Sequence, residues 1–142
     1  MRTTTILGSI AILSILSFAA GCAGREVEVT GEAKAAASTT LSGPISIKFL
    51  EVSDESAAVA EYVSIKTIEL ASPGEFKEMV GVEGDTVYLF ALNDVNKDGA
   101  CSEGEAWAKA EAAVKEDGTL DKVTLELAVA DCALAGSAAG AQ

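Results

Sequence analysis

An all-β fold, a single antiparallel β-sandwich, is what this sequence predicts, and three observations predict it. Several segments alternate apolar and polar residues with a period of two, the signature of half-buried strands. One stretch, Thr86–Leu92, is apolar at nearly every position, as a central strand covered on both faces must be. Between these segments lie short clusters of Gly, Pro and Asp that act as turns, and short strands closely spaced by such turns favour a sandwich over a helical fold.

In chain order, Arg2 is followed by an apolar run from Ile6 to Phe18 and then by the small residues Ala19-Ala20-Gly21. This has the layout of a secretory signal, residues 1–21, too short for the roughly 20 residues that cross a hydrocarbon core. Residues 22–42, which include Glu32-Ala-Lys-Ala-Ala-Ala-Ser-Thr-Thr, are small, polar and of low complexity, and read as a flexible tether. Within the tether Val27 and Val29 alternate with Glu26 and Glu28, enough for a short edge strand. The folded domain is expected over residues 43–133 and a frayed Ala/Gly/Ser tail over 134–142.

Inside the domain, Ile45, Ile47 and Phe49 fall on one face against Ser46 and Lys48. From Val59 to Leu70 the apolar positions change phase by one residue, which a β-bulge explains, and Pro73-Gly74 then marks a turn. Phe76–Val82 is a weaker strand, closed by Glu83-Gly84-Asp85. Leu120, Val123, Leu125, Leu127 and Val129 make the last strand. The segment 106–115 is open to two readings: its Ala, Glu and Lys favour helix, while Ala106, Ala108, Ala110, Ala112 and Val114 form a period-two row. We read it as a strand, since Thr86–Leu92 needs a sheet partner, with Trp107 as a core anchor.

Charge narrows the function. With 22 acidic and 10 basic residues the net charge is -12, so the basic face that nucleic-acid binding requires is missing. The chain has no histidine, which removes the commonest general base at neutral pH and the usual nitrogen ligands of zinc. No catalytic residues are assigned.

The chemistry concentrates in Asp94-Val-Asn96-Lys-Asp98-Gly99-Ala100-Cys101-Ser102-Glu-Gly-Glu105, which fits D-x-[DN]-x-[DN]-G-x5-E at every constrained position. The spacing explains the fit. Asp94, Asn96 and Asp98 turn oxygens toward one centre, Gly99 permits the sharp turn that brings in the Ala100 carbonyl, Ser102 holds a bridging water, and Glu105 closes the set with two oxygens. Such hard oxygen donors suit Ca²⁺.

Two resemblances extend this reading. Ala19-Ala20-Gly21-Cys22 resembles the lipobox of bacterial lipoproteins, which implies lipidation of Cys22 and a membrane anchor in the cell envelope, at the outer membrane or cell surface. With Cys22 lipidated, Cys101 and Cys132 are the cysteines left in an exported chain and are expected to pair. The loop itself is similar to the calcium loop of an EF-hand, but Thr86–Leu92 before it is not an amphipathic helix. Val87-Tyr-Leu-Phe-Ala91 followed by Asp94–Glu105 resembles prealbumin-like, immunoglobulin-like β-sandwich modules of bacterial surface proteins, in which such a loop joins two strands. The expected function is therefore a non-enzymatic, calcium-stabilised envelope lipoprotein, structural or binding a protein or polysaccharide. An EF-hand-type calcium sensor is the alternative, and an envelope hydrolase using Glu103 and Glu105 is a third.

Overall fold

The computed structural model describes residues 24–53 and 61–140, with side chains through Gly136. The expected signal peptide, Cys22 and the start of the phase-shifted segment at Val59 lie outside the described residues. The described chain is all-β: strands β1 (Arg25–Ala35), β2 (Ile45–Val52), β3 (Tyr62–Leu70), β4 (Gly74–Val82), β5 (Thr86–Asn93), β6 (Ala106–Ala113) and β7 (Val123–Val129), then a 3-10 segment, Cys132–Gly140.

The strands form one sheet in the order β3-β2-β5-β6-β7-β1-β4. Instead of two separate antiparallel layers, the sheet coils around its core into a nearly closed barrel, and β7 is the reason. Its last residues, Ala128 and Val129, pair antiparallel with Trp107 and Ala106 of β6, while Val123–Leu127 pair with Gly31–Ala35 of β1 in parallel. A strand that divides its length between two neighbours turns a corner, as strands do where they pass from one sheet layer to the next. The two edge strands, β3 and β4, meet across the remaining seam, where Lys66 Nζ donates to Glu78 Oε2 at 2.7 Å and to the Met79 carbonyl at 3.0 Å. A lysine across an open strand edge also blocks pairing with another chain.

The expected tether over 22–42 is corrected by β1. This strand runs 11 residues, pairing antiparallel with β4 from Arg25–Val82 to Ala33–Gly74 and in parallel with β7. Val27, Val29 and Ala33 are fully buried, so the valine alternation was the dominant signal and the surrounding Ala, Glu and Lys were misleading. The parallel partner lies some ninety residues away in sequence, beyond the reach of any local pattern.

The interior is lined by the inward faces of all seven strands, including Ile45, Ile47 and Phe49 of β2, Leu89 of β5, and Leu125 and Leu127 of β7, with Ile65, Ile68 and Leu70 of β3 packed against them. Phe49 and Phe76 meet edge to face, with centroids 6.1 Å apart. The ambiguous segment is a strand: Ala106, Ala108 and Ala112 are buried on its inner face, and its backbone pairs with β5 from Thr86–Ala113 to Asn93–Ala106. Sheet pairing with a buried central strand outweighs the modest helix propensity of Ala, Glu and Lys. The predicted change of phase is also present. Between Phe49–Lys66 and Leu50–Ser64 the β2–β3 register shifts, leaving Ile65 as the extra residue of a bulge.

Leu50, on the outward phase of β2 with Ser46 and Lys48, joins a second apolar cluster with Phe90, Leu92 and Ala135, edged by Tyr62, Tyr88, Cys101 and Trp107. Trp107 therefore anchors this outer cluster rather than the barrel interior; its ring lies 6.0 Å from that of Phe90 and its Nε1 donates to the Ala130 carbonyl at 3.2 Å. Ala135 is 3% exposed, so the expected frayed tail 134–142 is ordered at its start by the need to cover β5. At the far end of the barrel, the β6–β7 turn is held by Asp117, whose carboxylate accepts from the hydroxyl and amide of Thr119 and is kept below the usual carboxylate range by those bonds.

Gly31 is where β1 passes closest to its neighbours. A Cβ there would lie 2.3 Å from Phe76 Cζ and 2.8 Å from the Val123 carbonyl, a conflict with a buried ring and with backbone. Gly31→Ala is expected to destabilise the fold by about 1–3 kcal/mol. Gly81→Ala, at a position on β4 with no atom within 4 Å of the new Cβ, should stay within about 0.5 kcal/mol of the parent. Paired urea denaturation curves check both.

Candidate metal centre

β5 and β6 form a hairpin whose last paired residues are Asn93 and Ala106, and Asp94–Glu105 is the loop between them. Every residue singled out from the sequence, Asp94, Asn96, Asp98, Ala100, Ser102 and Glu105, lies on this one loop, flanked by strands on both sides. The loop turns tightly through left-handed backbone at Lys97, Gly99 and Gly104. Gly99 has φ +75, a conformation that a side chain disfavours, which accounts for glycine at this position of the motif.

The oxygen-bearing side chains organise the turn. Asp94 Oδ2 accepts from the Gly99 amide at 2.8 Å and Asp94 Oδ1 from the Asp98 amide at 3.2 Å. Asn96 Oδ1 also accepts from the Asp98 amide, at 3.0 Å, and Asp98 Oδ1 accepts from the Ala100 amide at 2.9 Å. Asn96 Nδ2 donates to Asp98 Oδ2 at 3.0 Å and to Ser102 Oγ at 3.2 Å. These are nested Asx turns, the local chemistry by which Asp and Asn shape loops.

Glu105 differs from the others in being 5% exposed. One oxygen accepts from the amides of Val95 at 2.9 Å and Asn96 at 3.4 Å, and the other from the Ser102 amide at 2.9 Å. A buried carboxylate with three N–H partners is satisfied and ties the two ends of the loop together.

Asp94, Asp98 and Glu105 do not converge on one point: among the described residues, no three His, Cys, Asp or Glu side chains stand together as a ready-made ion site. The carboxylates are turned instead to the loop's own amides. The donor set still has the composition that a hard cation takes, with three carboxylates, an amide and a hydroxyl, all oxygen. Asp94 and Asp98 border an open depression of about 390 Å³ that also includes Pro44, Ser46, Glu69, Lys97 and Gly99, so the loop is reachable from solvent. Glu103, considered for a catalytic pair with Glu105, is exposed, whereas Glu105 is committed to backbone amides.

The Cys101–Cys132 disulfide is present, with Cα atoms 5.6 Å apart, joining the metal-type loop to the start of the C-terminal 3-10 segment across 31 residues. Closing a loop of that length stabilises a fold by about 3–4 kcal/mol on chain-entropy grounds.

Asn93 carries no signal in the motif, yet it holds the base of the loop in place. It is 2% exposed; its Nδ2 donates to the carbonyls of Ser42 and Pro44, each at 3.0 Å, and its Oδ1 accepts from the Ser42 amide at 3.1 Å. The only hint in the sequence is an amide ending an otherwise apolar strand, and its partners lie about fifty residues earlier. No known protein family, curated protein or solved structure matches this chain.

Because Asn93 satisfies three backbone groups, Asn93→Ala is expected to cost about 2–3 kcal/mol in chemical denaturation. Asn93→Asp should be at least as damaging, since it sets a carboxylate oxygen against two carbonyls.

Proposed function

We propose that this chain is a non-enzymatic, lipid-anchored protein of the cell envelope whose β-domain takes up Ca²⁺ at Asp94, Asn96, Asp98, the Ala100 carbonyl, Ser102 and Glu105. The observation that carries the reading is a 12-residue strand-to-strand loop whose oxygen side chains fall at the spacing of a calcium loop, with its last member, Glu105, buried at the loop's base. In this reading the cation is structural. Three carboxylates in one loop repel one another, and a divalent ion offsets that repulsion without any change of fold. Strands on both sides of the loop speak against an EF-hand-type sensor, which works by changing the angle between two flanking helices. The role of the domain is then to hold a stable surface outside the membrane, structural in itself or engaged with a protein or polysaccharide.

Calorimetric titration of the purified chain should give a dissociation constant of about 10⁻⁴ to 10⁻³ M, the range of extracellular modules. At tenfold excess over that constant, calcium adds about 1.4 kcal/mol to stability and raises the melting temperature by about 5 °C, a gain that a chelator reverses while the β circular dichroism is unchanged. Asp98→Ala should melt somewhat below the parent's chelated value, having lost the bonds that its carboxylate makes within the loop, and should not respond to added calcium. No heat of binding at millimolar calcium, or an Asp98→Ala variant that still responds to it, rejects the metal.

The anchor is tested separately. Mass spectrometry of the membrane fraction should find a mature N-terminus at Cys22 carrying acyl mass; an unmodified soluble chain beginning beyond Cys22 rejects lipidation.

A further inference from the structure

The outer apolar cluster has an unusual cover. Leu50, Phe90 and Leu92 are at most 3% exposed, although they point away from the barrel interior. The segment lying over them begins at Cys132, and among its described side chains Ala135 alone is buried. Ala133 is exposed, Leu134 is 65% exposed, and Gly136, at φ +63, kinks the segment. Among the described side chains of the segment, a single methyl group, that of Ala135, is buried against the cluster.

The polar attachments are equally thin. Two bonds, Leu134 N to Asp131 O and Ala133 N to Asp131 Oδ1, are internal to the segment and its hinge and do not hold it to the sheet. Trp107 Nε1 reaches the carbonyl of Ala130, before the segment begins. Among the described residues beyond Cys132, one exposed contact reaches the barrel, Lys109 Nζ to the Leu134 carbonyl at 3.3 Å. An exposed bond of this kind contributes little on its own. The covalent attachment is Cys101–Cys132, and both cysteines are half-buried rather than sealed in the core.

We propose that Cys132–Gly140 is a latched cover, that Cys101–Cys132 is the latch, and that a dithiol reductant opens it. A thiolate of the dithiol attacks one sulfur and displaces the other cysteine as a thiolate, which takes up a proton. The second thiol of the reductant then attacks the mixed disulfide, releasing the remaining cysteine. Two electrons pass from the dithiol, which becomes a disulfide, to the latch, which becomes two thiols. The released cover leaves Leu50, Phe90, Leu92 and the edge of Trp107 open to solvent as one contiguous apolar surface on the outer face of β5, while the strand ladders are untouched. Opening is a property of the cover and not of the loop's metal, so it does not rest on the calcium reading.

The full-length oxidised chain, held in a chelator, is treated with dithiothreitol, and cleavage of the disulfide is verified by mass. Trp107 is the only tryptophan, so its emission reports on the patch directly. Reduction is expected to shift that emission to the red, to increase its quenching by acrylamide, and to raise the fluorescence of an apolar dye severalfold, with far-UV circular dichroism retained. Reoxidation restores the starting values, and the double variant Cys101→Ser/Cys132→Ser behaves like the reduced chain. A verified reduction that leaves emission, quenching and dye binding unchanged overturns the latch. Should the reduced chain lose its sheet signal, Ala135→Asp with the disulfide intact decides, by setting a carboxylate against the apolar cluster. Dye binding that rises with the sheet preserved supports the cover, and dye binding equal to the parent's overturns it.

Discussion

A strand with two apolar faces is the constraint from which the rest of this structure follows. β5 turns Val87, Leu89 and Ala91 into the barrel and Tyr88, Phe90 and Leu92 out of it. Burying a side chain the size of Phe or Leu is worth about 1.5–3 kcal/mol, so neither face can be left to water without a large fraction of the net stability of a small domain. The inner face is met by the curl of the sheet. The outer face is met by Leu50 from the neighbouring β2, by the rings of Tyr62 and Trp107, and by the segment that follows β7. The disulfide and the loop both lie where these demands meet, since Cys101 is on the loop that leaves β5 and Cys132 begins the segment that covers it.

The sheet reaches near closure through the pairing of its first and last strands. Gly31–Ala35 run parallel to Val123–Leu127, so the two ends of the domain must be brought together before the barrel has an interior. Such a contact closes a loop of some ninety residues and gains nothing until the intervening strands are in register, which places it among the slow, non-local steps of β folding. Gly31 allows it sterically: its missing side chain is what lets β1 pass beside the Phe76 ring and the Val123 carbonyl.

These two features also separate what was legible in the sequence from what was not. Period-two alternation located β2 and β7, the phase change anticipated a bulge within β3, and the alanine row on β6 turned out to be its inner face. All are local patterns that reflect which side of a strand is buried. The tether and the tail were misjudged for a common reason. Their composition is small and polar, yet their order comes from partners far away: β7 and β4 for Val27 and Val29, and the outer face of β5 for Ala135. The all-β class was legible, whereas the joining of its strands into one nearly closed sheet was not, because nothing local in Val123–Val129 announces that the strand divides between two neighbours. At the loop, the motif identified every oxygen-bearing residue, but Asn93 stayed hidden because its role is fixed by Ser42 and Pro44.

The loop shows how a carboxylate-rich turn keeps its shape by internal means. Glu105 is satisfied by three backbone amides, and Asp94 and Asp98 accept from three more, so the turn is held by charge-assisted hydrogen bonds that are individually stronger than neutral ones. A cation entering under the proposed reading competes with those amides for the same oxygens. What it gains is relief of repulsion among three carboxylates; what it gives up is part of a network already worth several bonds. Competition of this kind favours weak binding over tight binding. It also explains why the proposed ion is a stabiliser and not a condition of folding: the loop hangs from Asn93 and Ala106, both buried, and the barrel below it is complete without any contribution from the loop's oxygens.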